Sequence, residues 1–477
     1  MAGNARNGPL PGVEFARVRD DCTVAKHVLS GRLDAFILTI QGEKKLKIMP
    51  FFHPVTSPST VPSLCLQHFL APVSSLLAKA KNQRACPELS DQQWLQLGLR
   101  RVLEDHPSGR AFLQTLSVSG CATPSLSHFF ESLKSGRRLA LLTEVSNAFA
   151  KTLPSLLPAS WQSLPELSNM DLYAGDGHFQ EAAVHDSPDL EKGIKYATGH
   201  FFALNLRSHA LVHLTVADQL TRKKEHDMHA LKRLSLSELR QGAKNGRKVL
   251  YVWDRAGIDF SKWQYWKNTG GLYFLSREKA NMALRFFKAN EWDPTDPRNQ
   301  GVIADEMVTS SKGVQVRRVR YWCVLRGEEF SFLSSEYRMP PGVIAHLYRL
   351  RWDIEKVFDE LKNKVGETKA WASSATAKAM QANFLCLGHN LMLLCEAELE
   401  REHGIRNEAE LARRAKRLQE EAERLGKEGH VLPVLIETFQ RLTQRSVKFV
   451  RWLRVQLFGA PQDRLNIPLL RRLYAVL

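Results

Sequence analysis

Apolar positions along this 477-residue chain follow three successive rhythms. Up to about residue 165 they recur at helical spacing between Pro, Ser and Gly breaks. Ser90 is a suitable N-cap for a helix over residues 91–104. Two shorter helices, residues 111–116 and 125–134, are separated by a turn at residues 119–124 and followed by Arg137 and Arg138. From Leu172 the rhythm becomes that of strands. A short first strand over residues 172–175 precedes a hairpin of residues 197–205 and 210–216. A helical stretch at 235–240 leads into buried strands at 248–253 and 271–276. Alternating β text fills about residues 280–340, including 313–322 and 329–333, and beyond residue 366 the chain reads as helical to its end.

Strand, hairpin, helix, strand, helix is the order of a mixed α/β sheet of the ribonuclease H type, with the β-rich stretch as an insertion. The expected fold class is therefore a multidomain α+β protein. A helical N-terminal domain spans 1–165, and a ribonuclease H-like α/β core with its β-rich insertion spans 166–400. A helical, basic C-terminal region spans 401–477.

The segment from Tyr348 to Lys362 is the most specific pattern. On a regular helix Tyr348, Arg351, Glu355 and Lys362 fall at about 0°, 300°, 340° and 320°, on one narrow stripe. Leu350, Ile354, Val357 and Leu361 form the opposite, apolar face. Such a stripe can hold a metal ion beside phosphates; it can equally be a solvated face, since Arg351 and Glu355 have i,i+4 ion-pair spacing. Asp359 shares the polar face one turn on, whereas Asp353 lies well off it.

Charge narrows the choice. Lys and Arg number 67 against 50 acids, a formal net charge of +17, and the pI is near 9.6. That balance favours a polyanion, with nucleic acid ahead of a membrane surface because the cations are spread along the chain. Seven cysteines without a C-x-x-C pair suggest neither a zinc ribbon nor a secreted disulfide framework. No signal peptide is evident, and the most apolar helical run, 384–395, is short and contains His389 and Asn390, so it reads as buried helix. A soluble intracellular protein is expected. With a polyanion in view, the paired helices before Arg137 fit a helix-turn-helix DNA reader as well as any small helical domain. In the C-terminal region, Leu411, Ala415, Leu418, Ala422 and Leu425 form a helical stripe suited to intramolecular packing or a dimer seam. Residues 441–472 interleave basic residues with Phe449, Trp452 and Phe458, a mixture that suits DNA contact and also suits buried aromatics under a basic surface.

Asp176 and Asp254 each close an apolar run, where a carboxylate emerges at a sheet edge. With Glu355 they give the order Asp, Asp, Glu, three hard oxygen donors able to bind two divalent cations for in-line phosphoryl transfer. Here the chain resembles the IS4 family of DDE transposases. The resemblance rests on Tyr348-x2-Arg351-x3-Glu355-x6-Lys362, which matches the family's Y-R-E-K signature, and on Asp176-Gly177 and Asp254-Arg255. It covers about residues 166–400.

The resemblance implies an enzyme that binds double-stranded DNA at terminal inverted repeats, cleaves the transposon ends and joins the 3′ hydroxyl to target DNA as a homodimer in a synaptic complex. Asp176, Asp254 and Glu355 would be catalytic and would hold Mg²⁺, with Mn²⁺ as a substitute. Tyr348, Arg351, Lys362 and Arg255 would grip phosphates, and Phe330, with Trp322 as second choice, would stack on a flipped base. Two departures adjoin the acids: His178 stands where relatives often have Thr, and Ala256 separates Arg255 from Gly257. A catalytically silent DNA-binding derivative and a nuclease with the same core are the alternative expectations.

Overall fold

Strand β1 (Met170–Gln180) organises the sheet. It pairs antiparallel with β2 (Thr198–Asn205), which pairs antiparallel with β3 (Leu211–Val216). On its other side β1 runs parallel to β4 (Lys248–Val252), and β4 runs parallel to β5 (Leu272–Arg277). The order β3-β2-β1-β4-β5 is the ribonuclease H-like arrangement expected from the sequence. The insertion forms no separate sheet. Its strands β6 (Leu284–Ala289), β7 (Val302–Ser310), β8 (Gln315–Cys323) and β9 (Glu328–Ser334) continue from β5 through β9, giving nine strands in one sheet. The structure, a computed structural model, describes residues 64–475 except 87, 119–123, 158–163, 218–226, 440 and 460–463.

Among the described residues five helices precede the sheet: α1 (Leu64–Leu77), α2 (Asp91–Glu104), α3 (Gly109–Val118), α4 (Leu126–Ser132) and α5 (Gly136–Leu156). Ser90 caps α2 as expected: its hydroxyl accepts from the Gln93 amide while the Gln93 side chain accepts from the Ser90 amide. The turn between α3 and α4, proposed as part of a helix-turn-helix, lies largely outside the described residues. The arginines after it serve the interior. Arg137 grips Asp91 through both Nη atoms at 2.8 and 2.7 Å, and buried Arg138 donates to the Leu89 carbonyl and lies over Trp94.

Between β3 and β4 lie α6 (Asp227–Arg233) and α7 (Leu236–Leu239), and between β4 and β5 lies α8 (Phe260–Gly270). Helices α9 (Pro341–Leu350) and α10 (Trp352–Glu360) follow the insertion. Then come α11 (Ala375–His403), α12 (Glu408–Lys427), α13 (Leu435–Thr438), α14 (Val447–Phe458) and α15 (Ile467–Ala475). Strand alternation puts Tyr173, Tyr251 and Phe274 side by side in register on one face, where they stack on one another and on Trp263 and Trp266 of α8. The other face carries Asp176 and His178 and receives α10, whose Phe358 stacks on His178.

Helix α11 runs through the core against α2, α5 and β3, and the run 384–395 is buried as expected. The two polar residues of that run have partners: Asn390 exchanges hydrogen bonds of 2.8 and 2.9 Å with the Leu211 backbone, supplying the outer edge of β3 with partners. His389 reaches Glu360 and the His209 carbonyl. In the C-terminal region Phe449 and Trp452 are core residues, so the aromatics lie beneath a basic surface. On α12 only Leu425 of the five-residue apolar stripe is buried, while Ala415 and Ala422 are exposed. No helix among the described residues is long and apolar enough to cross a membrane.

Candidate active site

The position of Asp176 corrects the sequence expectation. It does not end its strand: β1 continues to Gln180, paired with β2 throughout. What ends is the parallel partner, because β4 pairs with β1 only as far as Ala174 and Val252. Two residues beyond that pair stand Asp176, still within β1, and Asp254, just past the end of β4, where the parallel pairing of the two strands stops. There the strand order reverses and open α/β sheets bind ligands. Gly175 makes this possible: a Cβ there would lie 1.7 Å from Cζ3 of Trp253, whose buried ring fills the space across β1.

Asp254 caps the short 3₁₀ turn Arg255–Gly257, its Oδ1 accepting from the Ala256 amide at 2.7 Å. Its carbonyl accepts from the Ser276 hydroxyl at 2.7 Å, tying the turn to β5. The departure at residues 256–257 thus has a place in the turn: Ala256 supplies the capping amide, and Gly257 lies where a Cβ would meet Trp253 at 2.3 Å.

The helix that carries Glu355 is not one regular rod. It tightens at Arg351, between α9 and α10, and widens into a π-turn over Leu361–Val365. Leu350, Ile354, Val357 and Leu361 are all buried, as the pattern requires. Both irregularities perturb the uniform 100° spacing assumed for the polar stripe. Arg351 and Glu355 remain together, while Lys362 sits exposed on the π-turn, near enough to His178 for its charge to act on that ring.

Arg351 joins the two elements. Its Nη1 donates to Asp176 Oδ2 at 3.0 Å and to Glu355 Oε1 at 3.3 Å. Burial opposes the guanidinium charge, but Asp176, Tyr348 and Glu355 outweigh it and its pKa lies above the usual arginine value. Asp176 also accepts from the Gly177 amide at 2.8 Å. Its carboxyl is pushed up to about 7, first by burial, with Glu355 and Asp254 adding to the shift; Arg351 and the Gly177 amide oppose it. Burial, with help from Lys362, lowers His178 to about 4, so the imidazole that replaces the frequent Thr is neutral at pH 7.

The carboxylates therefore crowd one another with one arginine between two of them, an electrostatic environment suited to further positive charge. Their oxygen donors are of the class that binds Mg²⁺ or Mn²⁺. Among the described residues no three His, Cys, Asp or Glu side chains are gathered closely enough to hold an ion as they stand. The Arg351 guanidinium is what bridges Asp176 and Glu355.

Beside the acids opens a cleft of about 530 Å³ that takes in Tyr348, Arg351, Trp352, Arg277 and Phe330, with no carboxylate among its lining residues. Tyr348 is half-buried against Phe332, and its phenol feels Arg351, Asp254, Arg277 and Arg255; burial raises its pKa. Phe330 is half-buried beneath Arg277, whose guanidinium carbon lies 4.3 Å from the ring centre. Trp322 is exposed and lies outside that lining, since alternation on β8 sends it to the face opposite Tyr321. Arg255 is exposed beside Arg277.

Sequence reasoning passed over Arg277 and Trp352. Arg277 ends β5 next to the strand that ends before Asp254, so the rule that singled out Asp254 applies to it as well. Trp352 left no comparable signal. Asp353, off the polar stripe, and Asp171, at the start of β1, are structural. Buried Asp353 accepts from Arg441 and the Leu442 amide, and Asp171 pairs with Arg247 at 2.7 Å. Asp359 is not simply solvated either, being bonded to Asn363 and Gln444.

Residues 177–391 match the family model described as the transposase DDE domain. The matched span contains Asp254 and Glu355 and begins immediately after Asp176, and it supports a DDE transposase. No curated protein matches the chain.

Proposed function

We propose that the protein is a cut-and-paste DNA transposase of the IS4 type, acting on terminal inverted repeats through Asp176, Asp254 and Glu355. The observation that carries this reading is the register at the β1–β4 junction: two aspartates two residues past the last parallel pair, the first of them, Asp176, joined to Glu355 through Arg351. The matched family model supports the general class.

In this reading Asp176, Asp254 and Glu355 hold two divalent cations, Mg²⁺ with Mn²⁺ as substitute. When bound, these ions activate water or a 3′ hydroxyl and stabilise the leaving oxygen. The protein's own groups do the rest. Arg351 orients Asp176 and Glu355 in the free enzyme and, as a planar always-charged fork, takes a phosphate when DNA arrives. Tyr348 donates a hydrogen bond from its phenolic O–H to a phosphate oxygen; its raised pKa keeps that proton in place at pH 7. Lys362 and Arg255, both exposed, supply point charge and a second fork to the backbone. Phe330, clamped under Arg277, offers a ring face to an unstacked base, whereas Trp322 is the weaker candidate because it lies outside the cleft. The N-terminal helices of residues 1–165 and the basic region 401–477 extend the DNA interface or the contacts of a synaptic homodimer.

The test is incubation of purified protein and Mg²⁺ with duplexes that carry the inverted repeats flanking its gene. Nicking at the repeat end followed by strand joining is expected, with Asp254→Ala and Glu355→Ala binding the duplex and leaving it uncut. Cleavage without joining would instead indicate a nuclease with this core, binding without cleavage a silent derivative. Undiminished cleavage by Glu355→Ala would remove the assignment.

A further inference from the structure

We infer that a groove separate from the acid cluster, between α3–α4 and the segment leading into α11, holds the sugar-phosphate backbone of the bound DNA about five base pairs from the reacting phosphate. The inference rests on the transposase reading above.

The groove has a volume of about 600 Å³. Its described lining residues include Arg110, Lys134, His185 and Lys369 and no carboxylate. These four side chains are exposed. Lys134 shares its charge with Glu131 at 2.6 Å, but that pair is open to solvent and a phosphate can compete for it. The floor is apolar and rigid: Phe129 and Phe130 pack edge to face, and Trp371 is fixed by donation to Glu367 at 3.0 Å with Arg101 over its ring. A cationic wall over an aromatic floor, without acids, complements a polyanion in the way a neutral peptide or an apolar ligand would not exploit.

Position selects DNA from among polyanions. Strand β1 passes from Asp176 to Gln180, and the next residue, Glu181, bridges to Lys369 with backbone bonds of 2.8 and 2.9 Å to Thr368 and Ala370. Five residues of strand span about 17 Å, which is about five base-pair steps. Lys362 and His178 lie on the way, one exposed and cationic, the other neutral. A duplex whose scissile phosphate meets the acids thus has a path along the β1 edge into this groove.

The experiment is an electrophoretic shift titration of full-length protein on a repeat-end duplex over a range of salt concentrations. It compares the unaltered protein with Arg110→Glu/Lys369→Glu and with the charge-preserving Arg110→Lys/Lys369→Arg. Both positions are exposed and lie outside the catalytic cluster, so the fold should survive; circular dichroism checks this. The reversed pair should bind at least ten-fold more weakly at physiological salt. Its plot of log affinity against log salt should be shallower by about two, the loss expected for two phosphate contacts. The charge-preserving pair should match the unaltered protein. Equal affinity and slope for the reversed pair, with the unaltered protein binding normally, would overturn the groove while leaving the transposase reading intact. Failure of the unaltered protein to bind any duplex would overturn both.

Discussion

Replacing Gly175 with Ala tests whether the two aspartates depend on one packed ring. The added methyl would sit 1.7 and 1.9 Å from two carbons of the Trp253 indole, where ordinary carbon contacts are about 3.5–4 Å. The ring must therefore shift by about 2 Å. It has little room to do so, being fully buried, and it already lies across Gly257, where a Cβ would meet it at 2.3 Å. Overpacking of this kind costs about 1–3 kcal/mol, and more where the surroundings cannot yield. Trp253 directly precedes Asp254, so a displaced ring moves the carboxylate proposed to be catalytic, and about 1 Å of misplacement lowers a rate by about 100-fold. Thermal unfolding and single-turnover cleavage of a repeat-end duplex measure the two effects. Trp253→Leu removes the six-membered ring that the methyl would strike. The double variant should be less destabilised than the sum of the single variants by about 1 kcal/mol or more. Unchanged stability and cleavage for Gly175→Ala, or strict additivity in the double variant, would show that the Trp253 ring does not fix the aspartates.

Arg351→Ala removes the group bridging Asp176 and Glu355. Cleavage should fall at least 100-fold, while Mn²⁺ binding measured by calorimetry stays equal or tightens because the acids lose a competing cation; weaker Mn²⁺ binding would contradict this. In metal-free buffer Asp176 opposes folding as pH rises, because its folded pKa of about 7 lies above the ordinary aspartate value of 3.8. The folded state binds the extra proton, so this destabilisation is absent below about pH 4, grows between about 4 and 7, and is complete above 7. Three pKa units correspond to about 4 kcal/mol as an upper bound, reduced by relaxation around the charge. Asp176→Asn should therefore be the more urea-resistant protein at pH 8, by about 2–4 kcal/mol, and should lose that advantage at pH 4. An advantage independent of pH would contradict the burial account.

The pattern of apolar residues disclosed the core well because strand order and element type follow from local alternation. Strands β1 to β5 appear where the apolar runs are, and the Ser90 cap, a relation over three residues, was readable directly. Long-range relations were not. Asp176 looked like a strand end because the apolar run stops there; pairing with β2 carries the backbone on through Gly177 and His178, residues with little strand signature. The uniform helical wheel kept Arg351 with Glu355, but nothing local signals the tightened turn at Arg351 or the π-turn that carries Lys362. Arg137 and Arg138 counted toward the basic charge, yet Arg137 is engaged by Asp91, 46 residues away. The closeness of Gly175 to Trp253 was equally hidden, since it depends on the offset between two parallel strands. Fold class was legible from periodicity; which cations remain for DNA was legible only once their partners were known.

If Asp254 is a direct ligand of the ion used in cleavage, the activity depends on the softness of its donor atom. Asp254→Cys exchanges a hard oxygen donor for a soft sulfur that disfavours Mg²⁺ and accepts Mn²⁺. Cleavage of a repeat-end duplex by Asp254→Cys should be lost in Mg²⁺ and recover at least ten-fold in Mn²⁺, with Asp254→Ala inactive in both. Full cleavage by Asp254→Cys or Asp254→Ala in Mg²⁺ would contradict the assignment.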